Sequence, residues 1–210
     1  RDADELFAGA SAVPWERFLD VRHTFAVSVT TRAAPPLAHA PFIGQRIKDA
    51  IVDRLRARLG GRPDVSRTEP DVRIYVHVES AARGKGGVPA VSVGLDLAGA
   101  SLHARGYRVA ESEAPLRETL AAAVLLASGW DGSRPLVDPM CGSGTIAIEA
   151  ALLACRIAPG RAAGGRHFGF ERWPTFGDRE RKAWRELTAA ADAMALPAAP
   201  VPIVGIDRDP

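Results

Sequence analysis

The stretch Leu136-Val137-Asp138-Pro139-Met140-Cys141-Gly142-Ser143-Gly144-Thr145 decides the fold of the second half of the chain. A short apolar strand ends in an acidic residue, and a turn with two glycines leads into an apolar helix. Glycine at 142 and 144 allows left-handed backbone and a close approach to a ligand. The start of the helix offers unpaired N–H groups and the positive end of its dipole. The pattern therefore predicts a ligand site at the edge of a sheet.

A second apolar segment, residues 201–206, runs directly into Asp207 and completes the pattern. Strand, glycine loop, helix and strand in this order form a βαβ unit, which predicts a parallel sheet. An α/β Rossmann-like domain is thus expected over residues 105–210. Its helices are predicted over 116–128, 145–157 and 178–194, the second with an apolar stripe of Ile146, Ala150, Leu153 and Ile157.

The same glycine loop also fits a dinucleotide-binding fingerprint, with Gly142, Gly144 and Ala147 in the three small positions. That site needs an acidic ribose ligand about 20 residues further on, at the end of the next strand. The acid that ends the next strand here is Asp207, 65 residues after Gly142. An oxidoreductase that binds NAD is therefore disfavoured.

The first half of the chain alternates predicted strands with one long helix. A strand is predicted over 23–29, and the alternating patterns of 72–78 and 90–97 predict a hairpin with a long connection. Between them a large apolar residue recurs every fourth position, which predicts a helix that Gly60 ends: Ile43, Ile47, Ile51, Leu55 and Leu59. These elements predict a small α+β domain over residues 1–104.

Composition excludes several classes of protein. The chain has 210 residues, of which 47% are hydrophobic and 25% charged, so it can build a core. No apolar run reaches the ~18 residues of a membrane helix, and no signal peptide precedes the domain, so neither a membrane partner nor export is expected. Two cysteines cannot form a disulfide scaffold or a four-cysteine zinc site. We expect a cytoplasmic protein without a metal site.

Residues 138–145, continued by Ile148-Glu149-Ala150-Ala151, resemble motif I of class I methyltransferases that use S-adenosylmethionine. More narrowly, the chain resembles RNA guanine-N2 methyltransferases with an N-terminal THUMP domain, among them the bacterial enzymes for 23S rRNA. The resemblance extends to segments 48–53, 70–74, 102–108, 114–121 and 168–173. It implies an N-terminally incomplete THUMP-type α+β domain over 1–104, followed by the start of an α/β Rossmann-like methyltransferase domain over 105–210.

The resemblance implies S-adenosylmethionine as the cofactor and gives roles to individual residues. Asp138 would hold the ammonium group of the methionine moiety, through a charge-assisted contact. Asp207 would accept hydrogen bonds from the ribose hydroxyls, and Gly142 and Gly144 would let the backbone pass beside the cofactor. The remaining loop residues assigned to the cofactor are Pro139, Cys141 and Thr145.

The catalytic tetrad of the family, Asn/Asp-Pro-Pro-Tyr/Phe, is absent from these 210 residues. Ala34-Pro35-Pro36-Leu37 lies in the other domain and lacks the polar first residue. In the family this tetrad supplies the acceptors that bind the protons of the guanine amine. We therefore expect the chain to be the N-terminal part of a longer enzyme and to be inactive by itself.

Two basic clusters predict contact with RNA. Residues 43–67 carry a net charge of +4 and residues 156–185 a net charge of +5, the latter interleaved with aromatic side chains. Arginine can bind phosphates, and exposed aromatic rings can stack on unpaired bases. The alternatives are a solvated helix face for the first cluster and aromatic packing of the loop for the second. The residues expected to bind RNA are Arg54, Arg58, Arg161, Arg166 and Arg172.

The sequence thus favours an enzyme that transfers a methyl group from S-adenosylmethionine to N2 of guanine in 23S rRNA. Two alternatives stay open. One is a guanine-N2 methyltransferase that acts on tRNA, because the same family includes such enzymes. The other is a non-catalytic module that binds RNA.

Overall fold

The computed structural model describes residues 3–32, 37–79, 90–109 and 116–208. The connection of the predicted hairpin, residues 80–89, lies outside these residues. The chain divides into two compact units, each assembled from two stretches of sequence. The first unit comprises Arg1–Gly99 and Phe168–Asp178, and the second comprises Ala100–His167 and Arg179–Pro210.

The first unit is built on a four-stranded mixed sheet. In chain order its main elements are α1 (Ala3–Ala12), β1 (Thr24–Thr31), α2 (Ala40–Leu59), β2 (Asp64–Val65), β3 (Val72–Glu79) and β4 (Ala90–Leu95). The strand order is β2-β1-β3-β4, with β1 parallel to both neighbours and β3 antiparallel to β4. The predicted hairpin is confirmed, in a register that pairs Ile74 with Leu95.

Large apolar side chains from the helices and the sheet form one buried cluster in this unit. The predicted stripe of α2 is fully buried from Ile43 to Leu55, and alternate residues of β3 face the same core. Leu59, the last predicted member of the stripe, is instead 43% exposed. It is the final residue of α2, and the left-handed backbone of Gly60 ends the helix immediately after it.

Helix α1 was not expected from the sequence. It contributes Leu6 and Ala10 to the core, and the indole of Trp15 is buried beside it. The indole Nε1–H of Trp15 donates a hydrogen bond of 2.7 Å to the carbonyl oxygen of Ala10. The turn that follows α1 is therefore anchored to the helix as well as to the core.

Residues 168–178 complete the first unit, although the chain on both sides of them belongs to the second. The indole of Trp173 packs edge-on against Phe18, with ring centroids 5.2 Å apart. Arg172 contacts Asp71 at 3.2 Å through Nη1, and its carbonyl oxygen lies 2.8 Å from Nε2 of His23. A Cβ atom on Gly99 would come within 2.9 Å of the backbone nitrogen of Gly169, so the two backbones are in direct contact.

The described residues of the second unit form a two-stranded parallel sheet and three α-helices. Its elements are α3 (Glu118–Ala127), β5 (Leu136–Asp138), α4 (Thr145–Ala154), α5 (Asp178–Ala193) and β6 (Ile203–Gly205), with β5 paired to β6. The predicted βαβ order is confirmed. Helix α4 ends three residues earlier than expected, because Arg156 has a φ of +57° and the N–H of Ile157 bonds to the carbonyl of Leu152.

The core of the second unit is small. Leu125, Trp130, Ala150 and Ala154 are buried, and Leu136, Ile146 and Ile203 pack against them. Leu153 of the predicted stripe is 37% exposed. Across both units, no helix of the described residues is long and apolar enough to cross a membrane.

Candidate cofactor site

The carboxyl ends of β5 and β6 bring two acidic residues to one edge of the parallel sheet. Asp138 ends β5 and pairs in register with Gly205, and Asp207 follows β6 by two residues. The N–H of Ile206 donates to the carbonyl of Asp138 at 2.8 Å, so the backbone stays paired up to this edge. Ligands bind outside the carboxyl ends of strands in open α/β sheets.

The glycine loop lies directly over this edge. The N–H of Cys141 donates to the carbonyl of Ile206 at 2.9 Å, and the N–H of Gly142 donates to Oδ2 of Asp207 at 2.7 Å. Asp138 accepts a hydrogen bond of 3.2 Å from the N–H of Met140. Both acidic side chains therefore contact the backbone of the loop that separates them.

Glycine is required in the loop for conformational reasons. Gly142 and Gly144 have φ values of +52° and +76°, a region that other residues adopt only under strain. A Cβ atom built on Gly142 would meet no atom within 4 Å, so this part of the loop borders open space. The loop thus leaves room for a ligand beside its backbone.

Helix α4 begins at this loop without a side-chain cap. Gly144 is the N-cap residue and cannot supply one, and Thr145, the first helical residue, is 4% exposed. The N–H groups of the first turn of a helix have no partners within the helix. Two carboxylates, free donors and an open glycine loop suit a ligand that has a cationic end, hydroxyl groups and acceptor atoms.

Gly205 is a site feature that the sequence reasoning missed. A Cβ atom at this position would lie 3.0 Å from Sγ and 3.1 Å from Cβ of Cys141. The half-buried thiol of Cys141 therefore packs against the backbone of β6. A glycine two residues before Asp207 was the available signal, because a strand position without a side chain often marks a close approach.

A group of polar residues behind the loop was also missed. The buried carboxylate of Glu149 lies 3.2 Å from Nε of Arg105 and accepts a hydrogen bond of 2.7 Å from the hydroxyl of Tyr107. Burial raises the pKa of Glu149, and burial together with the Glu149 carboxylate raises that of Tyr107. A charged residue on the buried side of α4 was the signal that could have identified this group.

Arg108 belongs to the same region and reaches the glycine loop. Its guanidinium contacts Oγ of Ser143 and Oγ1 of Thr145, each at 3.3 Å. It also donates to the carbonyl of Leu116 at 2.9 Å and lies 3.2 Å from Oε1 of Glu118. Arg108 thus joins the loop to the segment that starts α3.

Of the two arginines predicted to bind RNA on α2, Arg54 is engaged within the first unit. Its Nε and Nη2 atoms donate to both carboxylate oxygens of Glu16, at 2.8 and 2.7 Å, and its Nη1 donates to the carbonyl of Ser11. This pairing lowers the pKa of Glu16 to about 2. Arg58 is exposed at the end of the helix.

The three arginines of the second basic cluster that were predicted to bind RNA have partners as well. Arg161 forms two hydrogen bonds with Asp192, at 2.8 and 2.7 Å, and Arg166 donates to the carbonyl of Ala100 at 2.7 Å. Arg172 contacts Asp71, as described above. The aromatic rings of the cluster pack on one another, Phe170 lying 5.5 Å from Phe168 and 5.4 Å from Phe176. These contacts favour the packing alternative for the aromatic residues.

No group of three or more metal-ligating side chains occurs in the described part of the chain.

The residues expected to bind the cofactor do converge. Asp138, Pro139, Cys141, Gly142, Gly144 and Thr145 form the loop, and Asp207 contacts its backbone. Of the residues expected to bind RNA, Arg54, Arg58 and Arg172 lie in the first unit, and Arg161 and Arg166 lie in the second.

Two family models match the chain. Residues 105–210 match the model described as UPF0020: RMKL-like, methyltransferase domain, and residues 1–82 match the THUMP domain. The chain is 45% identical over 174 residues to the ribosomal RNA large subunit methyltransferase K/L of Magnetococcus marinus, which covers 81% of this chain and 23% of that protein. The expected fold class, a THUMP-type domain followed by a methyltransferase domain, is confirmed by the two family matches.

Solved structures are similar over the whole chain. A Listeria monocytogenes protein described as a predicted N6-adenine-specific DNA methylase is 34% identical, with a TM-score of 0.78, and the match covers 99% of this chain and 50% of that one. The structure of SMU.472 complexed with SAH is 33% identical, with a TM-score of 0.76, covering 100% and 52%. The chain thus spans about half the length of these structures and less than a quarter of the curated relative.

Proposed function

Because the chain belongs to the RMKL-like methyltransferase family, we propose that the protein transfers a methyl group from S-adenosylmethionine to ribosomal RNA. The observation that carries the proposal is the pair Asp138 and Asp207 at adjacent strand ends, joined by an open glycine loop at an uncapped helix start. The structure of the relative SMU.472 complexed with SAH, the demethylated form of this cofactor, supports the choice of methyl donor. An rRNA substrate implies a cytoplasmic protein.

The residues of the site fit the parts of S-adenosylmethionine. Asp138 would bind the ammonium group, a charge-assisted contact that water competes with less in a half-buried position. Asp207 would accept hydrogen bonds from the ribose hydroxyls while Gly142 and Gly144 keep the adjacent backbone close. Pro139, Cys141 and Thr145 would line the loop. When bound, the cofactor supplies an electrophilic methyl group on a sulfonium centre.

The proposed acceptor is N2 of a guanine in 23S rRNA. The relative from Magnetococcus marinus, a ribosomal RNA large subunit methyltransferase, supports the choice of RNA. The lone pair of a guanine amine is delocalised into the ring, so the reaction needs acceptors for the amine protons. No Asn/Asp-Pro-Pro-Tyr/Phe tetrad occurs in these 210 residues to supply them. A base in a helix would also have to leave its stack to reach the cofactor.

The experiment that identifies the acceptor uses the full-length protein and S-adenosylmethionine with a labelled methyl group. We expect label in 23S rRNA, recovered as N2-methylguanosine after digestion. Label in tRNA would support the related tRNA activity, and label on adenine in DNA would agree with the description of the Listeria relative. Binding of RNA without transfer would support a non-catalytic module.

Asp138→Ala tests the cofactor site. Removing the partner of the ammonium group should weaken the binding of S-adenosylmethionine by about 2 kcal/mol, since hydrogen bonds to charged groups contribute roughly 1.5–3 kcal/mol. Calorimetry on the full-length protein measures the change, with Asp131→Ala, an exposed carboxylate in the same unit, as the matched control. Unchanged affinity in Asp138→Ala would refute the assignment of the loop.

We further propose that Arg58 contacts the RNA backbone, because it is exposed at the basic end of α2 whereas Arg54 is held by Glu16. Arg58→Glu should weaken RNA binding and reduce the salt dependence by about one phosphate contact. Arg56→Glu is the control, because residues two apart on a helix point about 200° apart. Equal losses in both variants would place the RNA contact elsewhere.

A further inference from the structure

The glycine loop of the cofactor site has few fixed contacts of its own. Its two glycines adopt left-handed backbone, and its helix start has no side-chain cap. Glycine loses more conformational entropy than any other residue when it is ordered, so such a loop needs support from its surroundings. On the strand side the loop is supported by the hydrogen bond from the N–H of Cys141 to the carbonyl of Ile206 and by the hydrogen bond from the N–H of Gly142 to Asp207.

The hydrogen bond to Asp207 uses a carboxylate that the cofactor would also need. If Asp207 accepts hydrogen bonds from the ribose, its carboxylate serves the loop and the ligand together. Arg108 supports the loop through different groups, because its guanidinium contacts the hydroxyl oxygens of Ser143 and Thr145. Arg108 is thus a further support of the loop.

We propose that Arg108 is a positioning residue that holds the loop 138–145 in the shape that receives S-adenosylmethionine. The inference rests on the proposed function of this loop. The guanidinium has partners on two sides, Ser143 and Thr145 in the loop and Leu116 and Glu118 at the start of α3. A planar fork with five donors can serve four acceptors in different directions, whereas the single ammonium of lysine cannot.

The position of Arg108 argues against a role in the stability of α4 alone. A cation near the N-terminal end of a helix opposes the helix dipole, which favours anions there. Glu118, whose side chain is buried, offsets this charge by its contact at 3.2 Å with Nε of Arg108. The arrangement costs the burial of the Glu118 carboxylate and the partial burial of Arg108, and in return it fixes the conformation of Ser143 and Thr145.

The test measures cofactor affinity and thermal stability in the full-length protein. Arg108→Met should weaken the binding of S-adenosylmethionine about tenfold, the effect of one charge-assisted hydrogen bond, and raise the KM for the cofactor with little change in the KM for RNA. Arg108→Lys keeps the charge but loses the fork, so we expect it to resemble Arg108→Met. Arg117→Met, an exposed arginine close by in sequence, is the matched control.

A double-mutant cycle with Ser143→Ala shows whether Arg108 acts through the loop. The two substitutions should be non-additive, so that Ser143→Ala adds little to the loss already caused by Arg108→Met. Additive losses would overturn the proposal. So would a lower melting temperature with unchanged cofactor affinity, which would make Arg108 a purely structural residue, or full rescue by Arg108→Lys, which would mean that charge alone acts.

Comparing Arg108→Met with Asp138→Ala shows whether the role of Arg108 alone is wrong or the whole assignment of the cofactor site. If Asp138→Ala loses affinity while Arg108→Met keeps it, only the role of Arg108 is refuted. If neither variant changes the affinity, the loop is not the cofactor site, and both proposals fail.

Discussion

The two units of this protein are stabilised in different ways. In the first, large side chains such as Trp15, Phe25 and Ile51 are at most 1% exposed, and they pack between helices and a four-stranded sheet. In the second, the buried cluster formed by the described residues contains four apolar side chains, while Leu126 and Val137 are more than half exposed. The second unit has instead the buried polar contacts of Glu149 and Arg108.

The two units therefore differ in what their buried side chains do. Among the described residues, the buried side chains of the first unit are apolar and form one closed core. In the second unit, polar side chains support a loop in which two glycines have a left-handed backbone conformation. Binding sites are often carried by loops on a stable support, and the candidate cofactor site lies in the unit with the smaller apolar core.

The largest contrast should appear when apolar side chains are truncated. Phe25→Ala should cost about 3–5 kcal/mol of unfolding free energy, because it leaves a cavity in a closed core. Leu126→Ala in the second unit should change it by about 0.5 kcal/mol at most, because that side chain is 64% exposed. Denaturant unfolding measures both values. Similar losses of unfolding free energy in Phe25→Ala and Leu126→Ala would contradict the difference between the two units.

A smaller effect should follow from Trp173→Ala. This residue precedes α5 in sequence but packs against the core of the first unit. We expect a loss of about 2 kcal/mol, below the 3–5 kcal/mol of a fully buried tryptophan, because Trp173 is half-buried. Hydrogen exchange should become faster at the amides of β1 and β3. In the control Trp184→Ala, on α5, those amides should keep their protection.

The smallest effects should appear as opposite responses to pH. Because Arg54 lowers the pKa of Glu16 to about 2, this carboxylate stabilises the first unit above its unfolded pKa of about 4.3, and the stabilisation is lost as the pH falls towards 2. Burial raises the pKa of Glu149, so its contribution is largest at low pH and is lost as the pH rises through the folded pKa.

Two substitutions separate these responses. Glu16→Gln should cost about 1 kcal/mol at neutral pH and flatten the loss of stability between about pH 4.5 and 2. Glu149→Gln should remove the gain that acidification from neutral pH gives to the second unit. Thermal unfolding as a function of pH measures both. Parallel profiles for the two variants would mean that the carboxylates have similar environments.

The sequence alone was sufficient to predict those elements whose structure follows from a short-range pattern of residues. The four-residue spacing from Ile43 to Leu55 identified α2, and strict alternation identified β3. Asp138 and Asp207 could be placed at one edge because the carboxyl ends of parallel strands meet there. Each of these inferences depends on the local period of the chain, which the folded structure keeps.

The remaining features depend on contacts that no local pattern encodes. Helix α1 is rich in alanine and buries only Leu6 and Ala10, too little for a recognisable stripe. Arg108 meets Ser143 across 35 residues of sequence, and Arg172 meets Asp71 across 101. Arg54 has the spacing of an exposed cation but is held by Glu16, 38 residues earlier, because the turn after α1 returns to α2.

The contact between Gly99 and Gly169 joins two segments of the first unit that are synthesised at different times. The first unit includes residues 168–178, so its final contacts form only after residue 178 has left the ribosome. At ~5–20 residues per second, the interval between residues 99 and 178 lasts roughly 4–16 s. During that time Trp173 is not yet present to pack against Phe18, so the first unit lacks this aromatic contact.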